Sequence, residues 1–234
     1  YDLIYSSKSD FLYRQKGQLK LDNTVIEEFL PHLVKKAFPN WSEDLEMGSI
    51  KCFSEIHFNS SIHSSKHGGG LLIKEKDQDF AIARKLHIRT SHNSSFKSFD
   101  SKDTYIAYLA AECKTNLDKT MFQEASATAH DVKAAVPGSK YLLLCEWLDM
   151  TPTSTSSTDI DEVLILRKAK RLSSNIRKEF NTYNGRQKNS EFFKNFLNEN
   201  PFSENVFKRF ISHIQELDDD KNPIEKDVLN EGYF

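Results

Sequence analysis

The sequence predicts a mixed α/β fold: a central sheet flanked by helices, then a helical C-terminal region. Three observations lead there. Val25, Ile26, Phe29, Leu30, Leu33 and Val34 recur at helical spacing, whereas Phe80, Ile82, Leu86 and Ile88 alternate with Ala81, Lys85, His87 and Arg89 at the two-residue period of a strand. Two further apolar strand-like runs, Tyr105–Lys114 and Tyr141–Leu148, enclose a helix-patterned segment. Beyond residue 170 the apolar residues follow helical spacing. The expected organisation is a core over residues 1–170 and a helical region over 171–234 packed on it.

The elements follow in order. Asn23 or Thr24 can cap the first helix, and Pro31 inside it predicts a kink or early break. Gly68, Gly69 and Gly70 read as a turn leading to strands at Leu71–Lys74 and Phe80–Arg89, with a tight turn at Lys76–Gln78 between them. Ser91–Asp103 is a polar loop. Thr120 and Gln123 have capping-box spacing, and Met121, Phe122, Ala125, Ala129 and Val132 form the stripe of the next helix, which Pro137 and Gly138 end. Thr151–Thr158 is a Ser/Thr-rich loop, Val163–Leu166 a short strand, and Ser190 and Ser203 each open a helix.

Bulk properties bound the function. A chain of 234 residues with 38% hydrophobic residues and 17 Phe can bury one ordinary core. No apolar run approaches the roughly 18 residues that span a membrane, and the first twenty residues lack a signal-peptide pattern. They also lack an initiator Met, so a short leading segment is expected to be missing. Cys52, Cys113 and Cys145 are odd in number and lack metal spacing, which reads as buried free thiols in a reducing cytoplasm. The net charge of −2 argues against a simple polyanion binder, but charge is unevenly spread. Basic residues gather at Arg84, Lys85, His87, Arg89, His92, Lys97 and Lys102, and again at Arg167, Lys168, Lys170, Arg171, Arg177, Lys178, Arg186 and Lys188. Such clusters fit a phosphate-facing surface as well as a solvated one.

The chemistry concentrates at Glu112 and Lys114. Two residues apart at the end of a strand, they share a face. Asp79 heads the preceding long strand and reaches the same point if the two strands are neighbours. Two carboxylates can anchor Mg²⁺, which takes oxygen ligands and keeps several waters, and the metal can orient water and stabilise a leaving oxygen. The acid-x-Lys triplet occurs four times, at Asp100/Lys102, Glu112/Lys114, Asp131/Lys133 and Asp219/Lys221, but only the Glu112 copy closes an apolar strand.

The segments KDQDFAI, AAECKTNLDKTMFQEASATAHDVKAAVP, LLLCEWLDM and DIDEVLILRK, together with VIEEFLPHLV, resemble the BbvCI-type restriction endonucleases of the PD-(D/E)XK nuclease superfamily over roughly Thr24–Lys168. The resemblance implies a PD-(D/E)XK core, Asp79, Glu112 and Lys114 as the catalytic set with Asp79 and Glu112 on metal, and Glu27 or Glu28 and Glu124 as outer members. It also implies a prokaryotic cytoplasmic enzyme cutting double-stranded DNA as a homodimer, or as a heterodimer with a related subunit. Asp79 lies far upstream of Glu112, which leaves Asp100 or Asp103 as a rival metal ligand. Arg84, Lys85, Arg89, Arg167, Lys168, Lys170 and Arg171 would contact DNA, and Ser91–Asp103 or Thr151–Thr158 would read bases. Lys114 would orient or help deprotonate water. A structure-specific or repair nuclease, or a non-catalytic DNA-binding subunit, are the alternatives. Elsewhere, Glu146 inside an apolar strand calls for a buried partner such as Arg167 or Lys140. The histidines have no zinc spacing, and the Gly68–Gly70 turn lacks the Lys of a phosphate loop.

Overall fold

Three long strands build the frame: β1 (Leu45–His57), β2 (Leu72–Thr90) and β3 (Asp100–Leu117), an antiparallel meander. A helix, α2 (Lys119–Ala135), then carries the chain back so that β4 (Lys140–Leu148) lies parallel to β3, and β5 (Glu162–Ile165) extends the parallel half. The five-stranded sheet has the order β1-β2-β3-β4-β5 and is mixed because hairpins return the chain antiparallel whereas a helical crossover restores its direction. The computed structural model describes residues 24–62, 67–219 and 224–232.

Strand alternation divides the core into two layers. Phe80, Ile82, Leu109, Ala111, Cys113, Leu142 and Leu144 face α1 (Thr24–Ala37), through Ile26, Leu30 and Val34, and α6 (Glu204–Asp219), through Phe210 and Ile214. On the other face Ala81, Ala83, Ala110, Tyr141, Leu143 and Cys145 pack against Phe122, Ala125, Ala129 and Val132 of α2. The small residues Ala81, Ala83, Ala107, Ala110 and Ala125 let α2 approach this face closely. Between β5 and α6 lie three short helices, α3 (Ser174–Glu179), α4 (Tyr183–Lys188) and α5 (Ser190–Glu199), tied together by Phe180 and Phe193; α7 (Glu225–Glu231) follows α6. All three cysteines are free and buried.

Several local expectations are corrected. Helix α1 runs through Pro31 to Ala37, because the burial of Leu30 and Val34 on either side offsets the missing N–H. The Asn23 alternative for its cap lies outside the described residues. Residues Lys76–Gln78 are not a turn: β2 is one strand of 19 residues, and its polar middle is paired to β1 through Gln78↔Ile50, Asp77↔Lys51 and Lys76↔Cys52. β1 itself had no counterpart in the sequence pattern, since an extra residue between Phe53 and Glu55 breaks its two-residue period. The polar loop after β2 ends at Phe99, where β3 begins at Asp100. The N-cap of α2 is Asp118, whose side chain accepts from the Met121 N–H at 2.9 Å, not Thr120 with Gln123.

Candidate active site

The ladder between β2 and β3 runs from Thr90↔Asp100 to Phe80↔Ala111 and stops. Beyond it β2 continues on β1 alone, and β3 continues on β4 alone. The sheet therefore forks, and Asp79 and Glu112 are the first residues past the last pair. At the fork the Cys113 N–H has lost its strand partner, and Asp79 Oδ2 accepts it at 2.8 Å. That bond crosses the gap and holds the Asp79 carboxylate against β3.

Alternation puts Glu112 and Lys114 on the face of Ala110, the α2 side. The β2 register slips between Ala81 and Gln78, so Asp79 is placed instead by its bond to the Cys113 N–H and by its field at Lys114 and Tyr141. Lys114 Nζ is 2.6 Å from Glu112 Oε1. The Tyr141 hydroxyl, on the neighbouring parallel strand, donates to Glu112 Oε2 at 2.9 Å. Glu112 is thus held by two donors, yet each oxygen keeps a further lone pair. Burial pulls the Lys114 ammonium down, but its bond to Glu112 and the fields of Glu112, Asp79 and Glu124 outweigh this and leave it above the ordinary lysine value. Burial and the Glu112 carboxylate push the Tyr141 phenol well up, so Tyr141 stays a donor. A lone tyrosine in an apolar strand carries no sequence signal, and Tyr141 was not anticipated.

The outer residues divide. Glu124 projects from α2 close enough for its charge to act on Lys114. Glu27 is half-buried on α1, across the sheet, where its field is felt at Cys113. Glu28 is exposed. Asp100 and Asp103 are removed as rivals: they precede Glu112 on the same strand by twelve and nine residues, about 40 and 30 Å at the extended-chain rise. Asp100 Oδ2 instead accepts from the N–H groups of Gly68 at 3.1 Å and Gly70 at 2.9 Å, and Asp103 pairs with His87 at 2.7 Å.

The two basic segments fare differently. Arg167 turns inward: it pairs with Glu146 at 2.6 Å, donates to the Asn200 carbonyl at 2.7 Å and lies over the Trp147 and Phe202 rings. Of the two partners considered for Glu146, Arg167 is the one found. Arg171 pairs with Asp149 at 3.2 Å and is only 10% exposed. These two arginines have structural occupations in place of the DNA contacts expected of them, whereas Lys168 and Lys170 are exposed. Arg84, Lys85 and Arg89 are exposed on β2.

Among the described residues no group of three or more His, Cys, Asp or Glu is assembled to hold a metal. The donor chemistry at the fork still suits a hard cation: Asp79 and Glu112 offer carboxylate oxygens from two strands, and Mg²⁺ completes its shell with water.

No curated protein matches the sequence. Among solved structures the fold is similar to a chain of the native BbvCI A2B2 tetramer, at TM-score 0.56 and 25% identity, covering 75% of this chain and 63% of that one. The chain therefore spans less than two thirds of the length of that relative. The match to a family of restriction enzymes extends from residue 18 to residue 234, through the C-terminal helices as well as the forked sheet, and the chain belongs to the Bpu10I restriction endonuclease family.

Proposed function

We propose that this chain is the catalytic subunit of a type II restriction endonuclease with a PD-(D/E)XK site, hydrolysing phosphodiester bonds at a specific double-stranded DNA site with Mg²⁺. The observation that carries the reading is the fork: Asp79, Glu112 and Lys114 meet where β2 and β3 separate. Asp79 and Glu112 would hold the metal, which when bound supplies Lewis-acid stabilisation of the phosphoryl oxygens. Tyr141 fixes the rotamer of Glu112 through its hydroxyl. Lys114, kept as an ammonium by its acidic neighbours, is suited to hold the attacked phosphate and orient water rather than to remove a proton. Exposed cations on β2 and at Lys168 and Lys170 would bind the DNA backbone. The A2B2 assembly of the BbvCI relative favours an oligomer of related subunits, so that each strand of the duplex meets its own site.

Digestion of a mapped supercoiled plasmid with Mg²⁺ tests this. Discrete linear fragments are expected, or nicks at fixed positions if the partner subunit cuts the second strand. An unchanged plasmid, together with DNA binding, would replace the enzyme by a DNA-binding subunit. Cleavage without fixed positions would favour a structure-specific or repair nuclease.

A further inference from the structure

The pairing of β2 extends past the sheet. β1 leaves it at Leu45↔Arg84, and β4 joins β3 only from Leu109↔Lys140, yet β2 and β3 stay paired out to Thr90↔Asp100. Residues 84–90 and 100–106 therefore pair as a two-stranded ribbon about 20 Å long, ending in the turn 91–99. One of its faces is packed: Asp100 accepts from the Gly68, Gly70 and Leu71 N–H groups, and the buried Thr104 donates to Glu75. The other face, with Lys85, His87 and Arg89, is exposed. We propose that this ribbon enters the DNA major groove and reads base edges there. The proposal rests on the nuclease reading above and adds to it the element that confers sequence specificity.

Four observations support it. The first is charge: residues 84–106 carry Arg84, Lys85, Arg89, Lys97 and Lys102 against Asp100 and Asp103, in a chain of net charge −2. Asp100 is occupied by the Gly68, Gly70 and Leu71 N–H groups, and Asp103 by His87 and Lys85. Arg84 pairs with Asp44 at the root of the ribbon. The second is direction. The alternation that puts Ala81 and Ala83 on the α2 face puts Lys85, His87 and Arg89 on the same side, so the ribbon continues the surface that carries Glu112 and Lys114. The third is size: a major groove about 12 Å wide admits a two-stranded ribbon.

The fourth is rigidity. Gly68 packs so tightly against the far end of the ribbon that a Cβ there would lie 2.2 Å from the Thr90 carbonyl oxygen. The turn is tied by Ser91 Oγ to the Ser98 carbonyl at 2.6 Å, and Asn93 Oδ1 accepts from both the N–H and the hydroxyl of Ser95. Arg89 lies over the Phe99 ring at 4.8 Å, which orients its guanidinium and leaves the N–H edge open for the paired acceptors of a guanine. At the tip Phe96 is 48% exposed with φ 53°, a left-handed conformation that a bulky side chain adopts only under strain. The rival loop Thr151–Thr158 holds no cation, and its Pro152–Thr155 segment lines an apolar pocket of 380 Å³ with Leu117, Phe122 and Val163.

The test cuts a duplex library with randomised positions in Mg²⁺, using wild type, Arg89→Ala, Arg89→Lys and Phe96→Gly, and sequences the products. Melting curves accompany each variant. Arg89→Ala and Arg89→Lys are expected to lose roughly ten- to hundredfold discrimination at one base position and keep it at the others. Phe96→Gly relieves the strained backbone, so it should melt at or above wild type while losing selectivity at a neighbouring position. Dimethyl sulfate footprinting of the wild-type complex in Ca²⁺ should protect guanine N7, a major-groove atom, within about ten base pairs of the cut. Variants that keep the wild-type site profile, or lose rate on all sequences alike, overturn the proposal, as does unprotected guanine N7. Wild-type cleavage without sequence preference overturns the ribbon's role and leaves the nuclease; a wild type that cuts nothing overturns both.

Discussion

Tyr141 does at the site what no motif would reveal: it donates to one oxygen of Glu112 while Lys114 occupies the other. If Glu112 holds metal as proposed, a group that orients it in this way typically contributes ten- to hundredfold in metal affinity. Tyr141→Phe should therefore weaken Mg²⁺ or Ca²⁺ binding by about tenfold in calorimetry, and Asp79→Ala or Glu112→Ala should remove it; unchanged affinity in all three would place the metal elsewhere. Arg167 offers the opposite case, a basic residue whose work is in the fold. Burial raises the Glu146 carboxyl while Arg167 pulls it back down, and the pair is mostly buried at 17% and 12% exposure. Arg167→Ala should cost about 3–5 kcal/mol in chemical denaturation by stranding Glu146, and Arg167→Met with Glu146→Leu should recover most of it. Loss of DNA affinity at full stability would instead return Arg167 to the DNA surface. That Glu112 and Lys114 meet was legible because a carboxylate and a lysine two apart close an apolar strand, whereas the approach of Asp79 needed the pairing of β2 with β3. Glu124 needed the helix packing to be placed. The pairing of Arg167 with Glu146 was legible, because a carboxylate inside an apolar strand calls for a partner, whereas that of Arg171 was hidden because Asp149 is remote in sequence.

At the scale of elements, legibility followed regularity. Helices α1, α2, α5 and α6 and strands β4 and β5 kept their periods and could be read. β1 could not, because an extra residue between Phe53 and Glu55 shifts its side-chain alternation, and the middle of β2 passed for a turn because residues 72–77 are largely exposed on a two-stranded stretch. Helix α6 couples the C-terminal region to the sheet. Phe210 meets Phe80 edge-on at 5.8 Å and is fully buried, so Phe210→Ala should destabilise the fold by about 3–5 kcal/mol. The same helix is tied to the sheet by polar contacts: Arg209 pairs with Glu162, Lys140 pairs with Glu216, and His213 is hydrogen-bonded to Glu162. Burial raises the Glu162 carboxyl, but His213 and Arg209 outweigh it, and the hydrogen bond from Lys140 lowers Glu216, so both fall below the ordinary 4.5. A carboxylate lowered on folding contributes stability that is complete above its unfolded value and is lost as pH falls through the folded one. Thermal melts should therefore drop as pH decreases below about 4.5, and Glu162→Gln should make that drop shallower; an unaltered slope would show that the network contributes nothing.

For the whole molecule, the sheet that forks at one end and extends as a basic ribbon at the other gives one continuous face, with α1 and α6 covering the opposite side. A single fork can attack one strand at a time, so sedimentation with site DNA should show two or more subunits per duplex; a monomer that breaks both strands in one binding event would contradict that. The central claim is that the fork performs phosphodiester hydrolysis through Lys114 beside two metal-binding carboxylates. Single-turnover cleavage and DNA affinity of Lys114→Ala, measured side by side in Mg²⁺ and Ca²⁺, test it most directly. Cleavage should fall by a hundredfold or more while affinity stays within about threefold, because binding comes from many phosphate contacts and Lys114 acts on the attacked phosphate. Cleavage within about tenfold of wild type would contradict the account.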